Sequence, residues 1–223
     1  MKTLFILAVI LLSFSFALAQ NEQAPVLEKE LTYRDWTYKN VLTGENINLR
    51  DAVRGRKLVM VVYFAAWCPN WKHEAPFAQK LYEKYKSSGF EIIGVAEYDT
   101  IENTKISMNN YKITFPVVIE SDSRAAKQTT LHYEYRRSAG DTRNWGSPWN
   151  IFLQPSLLEK KGDTLLKKAF VVNGELIEPE AEAFVREKLG LPKEEKKAEA
   201  MGKKDTEICT PEKKTPEFVK PRN

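Results

Sequence analysis

Cysteine and histidine are scarce in this chain, with two of each in 223 residues. Two cysteines cannot build a disulfide-dense scaffold or supply a four-thiolate zinc site, and His73 and His132 leave too little material for a histidine-based metal centre. The sequence therefore calls for no metal and no cofactor. An excess of one charge is lacking too. Against 34 Lys and Arg stand 30 Asp and Glu, a formal net charge of +4 spread over a mixed-sign chain, which does not point to a nucleic-acid binder. Beyond the N-terminus there is no long hydrophobic run, so no later segment is apolar enough to cross a bilayer. Internal repeats are absent.

What is present suffices for a packed core: 43% of the residues are hydrophobic and 11% aromatic. The length fits one domain or two small ones. Residues 1–19 read as a signal peptide. Lys2 gives a positive start, Leu4 to Phe16 is an apolar run broken only by Ser13 and Ser15, and Ala17-Leu18-Ala19 supplies the small-x-small pattern ahead of Gln20. No cysteine sits at that point, which excludes lipid attachment there. The expectation is an exported protein, periplasmic in a Gram-negative cell and otherwise secreted, with no stable membrane insertion after cleavage. A retained N-terminal anchor is the alternative. Residues 20–34 read as a polar, loosely held lead-in and residues 35–190 as the globular domain. Residues 191–223, dominated by Lys, Glu and Pro, cannot bury enough surface to offset their ordering entropy and read as a disordered tail.

Inside the globular unit, short apolar runs alternate with helical periods. Lys57 to Ala65 is a continuous β-branched and aromatic run, the signature of a strand buried on both faces. Pro69 to Ser87 follows as a helix with Phe77, Leu81 and Tyr85 on one face and Gly89 after its end. Phe90 to Ala96, Phe115 to Glu120, Trp149 to Gln154 and Thr164 to Val172 read as strands, and Ile101 to Tyr111 and Pro179 to Leu189 as helices. The alternation predicts an α/β sandwich around a central sheet.

Cys68 lies where the first buried strand stops and the first long helix begins. A thiol there faces unpaired N–H groups and the positive end of the helix dipole, which favours thiolate over thiol. The competing reading makes Cys68 a small buried core residue. The surrounding run VVYFAAWCPNWKHEAP resembles the active-site segment of the TlpA/ResA-like branch of the thioredoxin superfamily, roughly FWAxWCxxCxxExP, with Ala65, Trp67, Cys68, Glu74 and Pro76 on matching positions. Gly44 to Val53 looks like that family's N-terminal hairpin and following turn. GSPWNIFLQPS resembles the segment in which these proteins place a cis-proline facing the active cysteine, which maps onto Pro148 with Ser147 before it. The resemblance implies a thioredoxin-like fold, a central mixed β-sheet flanked by helices with an N-terminal hairpin extension.

One departure bears directly on function. The family's second active-site cysteine would stand at position 71, where this chain has Trp71. Without it Cys68 can attack a disulfide or be oxidised, but cannot resolve itself locally. Three outcomes stay open: a monothiol resolved by an external thiol, resolution by Cys209 from the tail, or loss of turnover with the fold kept as a binding module. A flexible tail of this length spans on the order of 25 Å, enough for Cys209 to approach Cys68; otherwise it stays free or bridges two chains.

The resemblance implies a catalytic set of Cys68, Glu74 and Pro148, with Glu74 helping to set thiol acidity and proton transfer; an exposed helix glutamate is the alternative for Glu74. Pro148, if cis, leaves a backbone edge free to pair with a substrate peptide, and Pro116 is the competing cis candidate. Trp67, Pro69, Trp71, Ser147 and Trp149 are the expected substrate contacts. His73 lies five residues past Cys68, about 140° round a helix, and is not its base; His132 falls in an irregular stretch. Tyr133 to Trp149, rich in Tyr, Trp and Arg, either frames an aromatic, cationic surface for a peptide or acidic partner, or packs into the core. The leading expectation is an exported thiol–disulfide oxidoreductase working on a protein thiol or disulfide. A redox-inactive binding module is the alternative. Thiol peroxidase chemistry is disfavoured because Ala65 stands where that pattern wants a threonine.

Overall fold

The computed structural model describes residues 22–192; the expected signal peptide, Cys209 and nearly all of the expected tail lie outside them. Ten strands and five α-helices follow in order: β1 (Gln23–Ala24), β2 (Leu27–Arg34), β3 (Thr37–Asn40), β4 (Asn46–Asn48), α1 (Leu49–Ala52), β5 (Leu58–Phe64), α2 (Pro69–Tyr85), β6 (Phe90–Ala96), α3 (Ile101–Asn110), β7 (Val117–Ile119), α4 (Leu131–Ser138), β8 (Trp149–Leu153), β9 (Thr164–Val172), β10 (Glu175–Leu176) and α5 (Glu178–Lys188). Eight strands form one mixed sheet in the order β2-β9-β8-β5-β6-β7-β3-β4, and β1 pairs with β10 in a small parallel ribbon. At the centre, β5 runs parallel to β6 and antiparallel to β8. This is the α/β thioredoxin-like architecture that the sequence predicts.

The period of two along β5 feeds two separate cores. Leu58, Met60, Val62 and Phe64 pack with Phe77, Ala78 and Leu81 of α2 and with Val185 of α5. Val59, Val61 and Tyr63 point the other way, into a cluster with Leu31, Tyr33, Trp36, Leu49 and Tyr135. A strand buried on both faces carries no polar alternation, which is why its sequence reads as an unbroken apolar run.

The N-terminal boundary needs correction. Of the residues expected to form a loose lead-in, Leu27–Arg34 are a strand of the main sheet and Gln23–Ala24 pair with β10. β2 pairs antiparallel with β9 from Leu27 opposite Val171 to Arg34 opposite Thr164. Its outer half is charged because it is an edge strand, covered on one face only; Leu31 and Tyr33 point inward and are buried. The Tyr33 and Tyr63 hydroxyls lie 2.8 Å apart, and the Trp36 indole N–H donates to the Tyr33 oxygen. Burial pushes the Tyr33 phenol far above its ordinary range, so it stays neutral. Tyr33→Phe is expected to cost about 1–2 kcal/mol by urea titration, because the Tyr63 and Trp36 groups lose a partner inside the core. No change would mean that those groups find another.

A second difference concerns the stretch around His132. It is helical: Thr130 caps α4 by accepting from the Tyr133 N–H at 3.1 Å, and the Glu120 carboxylate accepts from the backbone N–H groups of Leu131 and His132. The segment is polar and cationic (LHYEYRRS), with too few apolar positions for the periodicity to stand out.

Candidate active site

Cys68 is the N-cap residue of α2, with Pro69 in the first helical position, and its backbone carbonyl accepts from the Lys72 N–H at 3.1 Å. Extended backbone at Cys68 turns the chain from β5 into the helix axis, and proline suits that position because the missing N–H has no helical partner to lose. The thiol does not cap the helix. Its Sγ donates to the Ser147 carbonyl oxygen at 3.1 Å. The Ser147–Pro148 peptide is cis, and among the described residues no other cis bond occurs, so Pro116 is trans. The Ser147 hydroxyl accepts from the Ala65 N–H at 2.9 Å, which ties the proline loop to the end of β5 a second time. Cys68 itself is only 7% accessible.

The proline loop is built from beneath. The His132 ring Nε2 lies 3.1 Å from the Gly146 carbonyl and its Nδ1 lies 2.9 Å from the Tyr98 hydroxyl. A carbonyl only accepts, so Nε2 carries the proton and Nδ1 accepts from Tyr98. Complete burial and the nearby Arg136 hold His132 neutral, well below the ordinary histidine range. Gly146 has φ +58°, and a Cβ there would lie 2.4 Å from Arg136 Cδ, so only glycine fits. Arg136 in turn donates to the carbonyls of Arg143 and Asn144, and Arg143 donates to the Pro148 carbonyl at 2.9 Å.

Glu74 lies six residues past Cys68 on α2 and is buried at 3% accessibility, not on the helix exterior. Its Oε2 accepts from the Leu176 N–H at 2.7 Å and from Asn150 Nδ2 at 3.3 Å, while Oε1 has no partner. Burial pushes its carboxyl up from 4.5 to about 8, against the opposing pull of those two hydrogen bonds; the charge of Glu175 adds to the rise. His73 does not face the cysteine. It pairs with Glu175, Nδ1 to Oε2 at 2.7 Å.

Among the expected substrate contacts, two are corrected. Trp71 is 1% accessible, stacked on Phe64 with ring centres 4.1 Å apart, its indole N–H donating to Ser107 Oγ at 3.2 Å. Trp149 is wholly buried on β8, its indole N–H donating to Asn173 Oδ1. Both are core side chains, because large aromatic residues at those inward positions cover the sheet. Neither reaches a docked chain. Ser147 is buried as well, and it acts on the loop through its hydroxyl and carbonyl. Pro69 is exposed and Trp67 partly so. Of the aromatic segment 133–149, Tyr135 and Trp149 pack inward while Trp145 stays partly open beside Trp67, ring centres 5.2 Å apart. Sequence reasoning missed Tyr98, which sits at φ +59° and binds both the Trp67 indole N–H, through its carbonyl, and His132, through its hydroxyl. No local motif marks it.

Fold and junction together define a thioredoxin-like α/β protein with its cysteine at a strand-to-helix junction against a cis-proline loop. The chain belongs to the AhpC/TSA family, whose model matches residues 23–146. It is similar to the thiol-disulfide oxidoreductase ResA of Bacillus anthracis, 35% identical over 83 residues, which are 37% of this chain and 47% of that one. ResA of Bacillus subtilis is 34% identical over 83 residues, 35% of this chain and 43% of that protein. The chain thus spans just under half the length of the curated relatives it matches. Among solved structures, the thiol:disulfide interchange protein of Chlorobium tepidum superposes with a TM-score of 0.51 at 21% identity, covering 73% of this chain and 98% of that one. A thiol:disulfide interchange protein from Bacteroides sp. gives 0.52 at 22% identity, covering 74% and 93%. Those two likenesses establish the fold. Among the described residues no helix is long and apolar enough to cross a membrane, and no group of three metal-ligating side chains occurs.

Proposed function

We propose that this chain is an exported thiol–disulfide oxidoreductase that works through Cys68 alone on a polypeptide thiol or disulfide. The observation supporting this most directly is Cys68 Sγ at the N-cap of a 17-residue helix, 3.1 Å from the Ser147 carbonyl of the cis-proline loop. In the reductive direction Cys68 gives up its proton and attacks one sulfur of a substrate disulfide. The substrate S–S bond breaks, the departing sulfur takes up a proton, and a mixed disulfide joins Cys68 to the substrate. An external thiol then attacks at Cys68, releasing the substrate as a dithiol, and a second equivalent frees Cys68 and leaves as a disulfide. Overall, two external thiols are oxidised and one substrate disulfide is reduced. The resemblance gives Glu74, six residues further along the same helix, the part of proton carrier for the site, and the burial that raises its carboxyl to about 8 supports that reading. The leader at residues 1–19 supports export to an oxidising compartment, where the substrate would be disulfide-bonded. Cys209 is the candidate internal resolver, in place of the external thiol.

The test is reduction of a disulfide-bonded polypeptide such as insulin by a small thiol. Cys68→Ser is expected to abolish the acceleration. Cys209→Ser keeps it if the resolver is external and removes it if the tail resolves. A wild-type protein with no acceleration, or a Cys68→Ser protein that retains it, overturns the redox reading. The second reading, a redox-inactive module that binds a polypeptide, is favoured by one observation: the position of a second thiol is filled by a core tryptophan.

A further inference from the structure

Two cations stand over the aromatic rim of the Cys68 site. Trp67, the residue before Cys68, meets Trp145, two residues before Ser147, edge to face, and Tyr98 continues the row with its ring centre 5.5 Å from Trp145. The Arg124 guanidinium lies 4.4 Å from the Trp67 ring centre and 5.9 Å from that of Trp145. Lys127 Nζ lies 4.5 Å from the Trp145 ring centre and donates to the Asn144 side-chain oxygen at 2.8 Å. Both come from the 3-10 turn Arg124–Thr129, between β7 and α4. Among the described residues neither cation pairs with a carboxylate. The nearby acids are occupied or turned elsewhere: Asp99 accepts from Thr100 and Asn103, and Glu120 holds the start of α4. Asp122, exposed two residues before Arg124, makes no ion pair with it.

Stacking on indoles holds a guanidinium in place while leaving its edge N–H groups open to an incoming acceptor. We infer that Arg124 and Lys127 select, for exchange at Cys68, polypeptide segments whose cysteine is flanked by acidic side chains. This rests on the redox reading of Cys68 and names its substrate class. The partly open Trp67–Trp145 pair next to the cysteine suits an extended chain that lays an apolar residue on it and a carboxylate against the cations. A small anionic disulfide offers charge without that apolar contact.

The probes are two synthetic peptides, each with one cysteine activated as an aromatic mixed disulfide, flanked by Glu in one and by Lys in the other, with glutathione disulfide as the small anionic probe. Release of the aromatic thiol is followed with the full-length protein. The Glu peptide is expected to react about fivefold faster or more than the Lys peptide at low ionic strength, the preference falling towards unity in ~0.5 M salt. In an R124Q/K127Q protein, with folding checked by thermal melting, the ratio is expected to collapse likewise. Equal rates for the two peptides, a ratio unmoved by salt, or a ratio unmoved in R124Q/K127Q overturns the inference, and the salt series on wild type decides even if the variant misfolds. Glutathione disulfide outpacing the Glu peptide overturns the polypeptide assignment. If neither peptide reacts with wild type, the redox reading itself fails, a different result from equal reaction with both.

Discussion

Replacing Trp71 by cysteine is expected to lower the melting temperature by on the order of 10 °C while installing a second thiol one helical turn from the first. The ring is 1% accessible and stacked on Phe64. Emptying a site of that size costs about 3–5 kcal/mol, and in a domain of this length each kcal/mol moves the midpoint by roughly 2–4 °C. Ser107 Oγ, which now accepts from the indole N–H, loses that donor. Positions 68 and 71 are three apart at the start of a helix, so their side chains are neighbours and a disulfide between them is geometrically accessible. The expected chemical result is an oxidised protein lighter by two hydrogens in intact-mass measurement, whose mixed disulfide no longer needs an outside thiol for release. A loss below about 3 °C would mean that the tryptophan contributes little to the core. A clear loss of stability without disulfide formation would remove the premise that position 71 is where a partner thiol belongs.

How much of this was legible in the sequence depends on whether the signal was local. β5 and β6 are readable because each is buried at seven consecutive positions, and α2 because its buried face recurs at helical spacing. The cysteine junction was readable for the same reason: a strand end, a proline and a helix start follow one another without a gap. β2 was not, because an edge strand buries side chains only at Leu31 and Tyr33 and its charged outer face looks like a linker. Trp71 and Trp149 were placed on the wrong side of the surface because a tryptophan beside an active cysteine reads equally as contact or core. Only the packing partners, Phe64 for one and Asn173 for the other, decide between them. The support beneath Pro148, from Tyr98 through His132 to Gly146, spans 48 residues of chain and is held by side-chain bonds between distant positions. Such a network leaves no spacing to find.

Glu74→Gln is expected to make the protein more stable than wild type at alkaline pH and equal to it in acid. In the unfolded chain the carboxyl ionises near its ordinary 4.5, whereas burial in the folded protein delays ionisation to about 8. Below pH 4.5 both states hold the proton and the group contributes nothing to the difference. As pH rises through the window from 4.5 to 8, the unfolded state releases its proton while the folded state keeps it, so folding stability falls; above about 8 both are ionised and the loss levels off. At about 1.4 kcal/mol per pH unit, that window corresponds to a loss of up to about 5 kcal/mol. Glutamine keeps a carbonyl oxygen that can accept from the Leu176 N–H and Asn150, but has no proton to lose, so the variant escapes the decline. Glu97, whose carboxyl is also raised by burial, titrates alike in both proteins and cancels in the comparison. Urea titrations of the two proteins at pH 4.5, 6, 7.5 and 9 read the difference directly: curves that diverge with rising pH and run parallel beyond about 9 are expected. Curves parallel throughout would mean that Glu74 is ionised in the folded protein at neutral pH, and the proposal that it carries a proton for the Cys68 site would go with it.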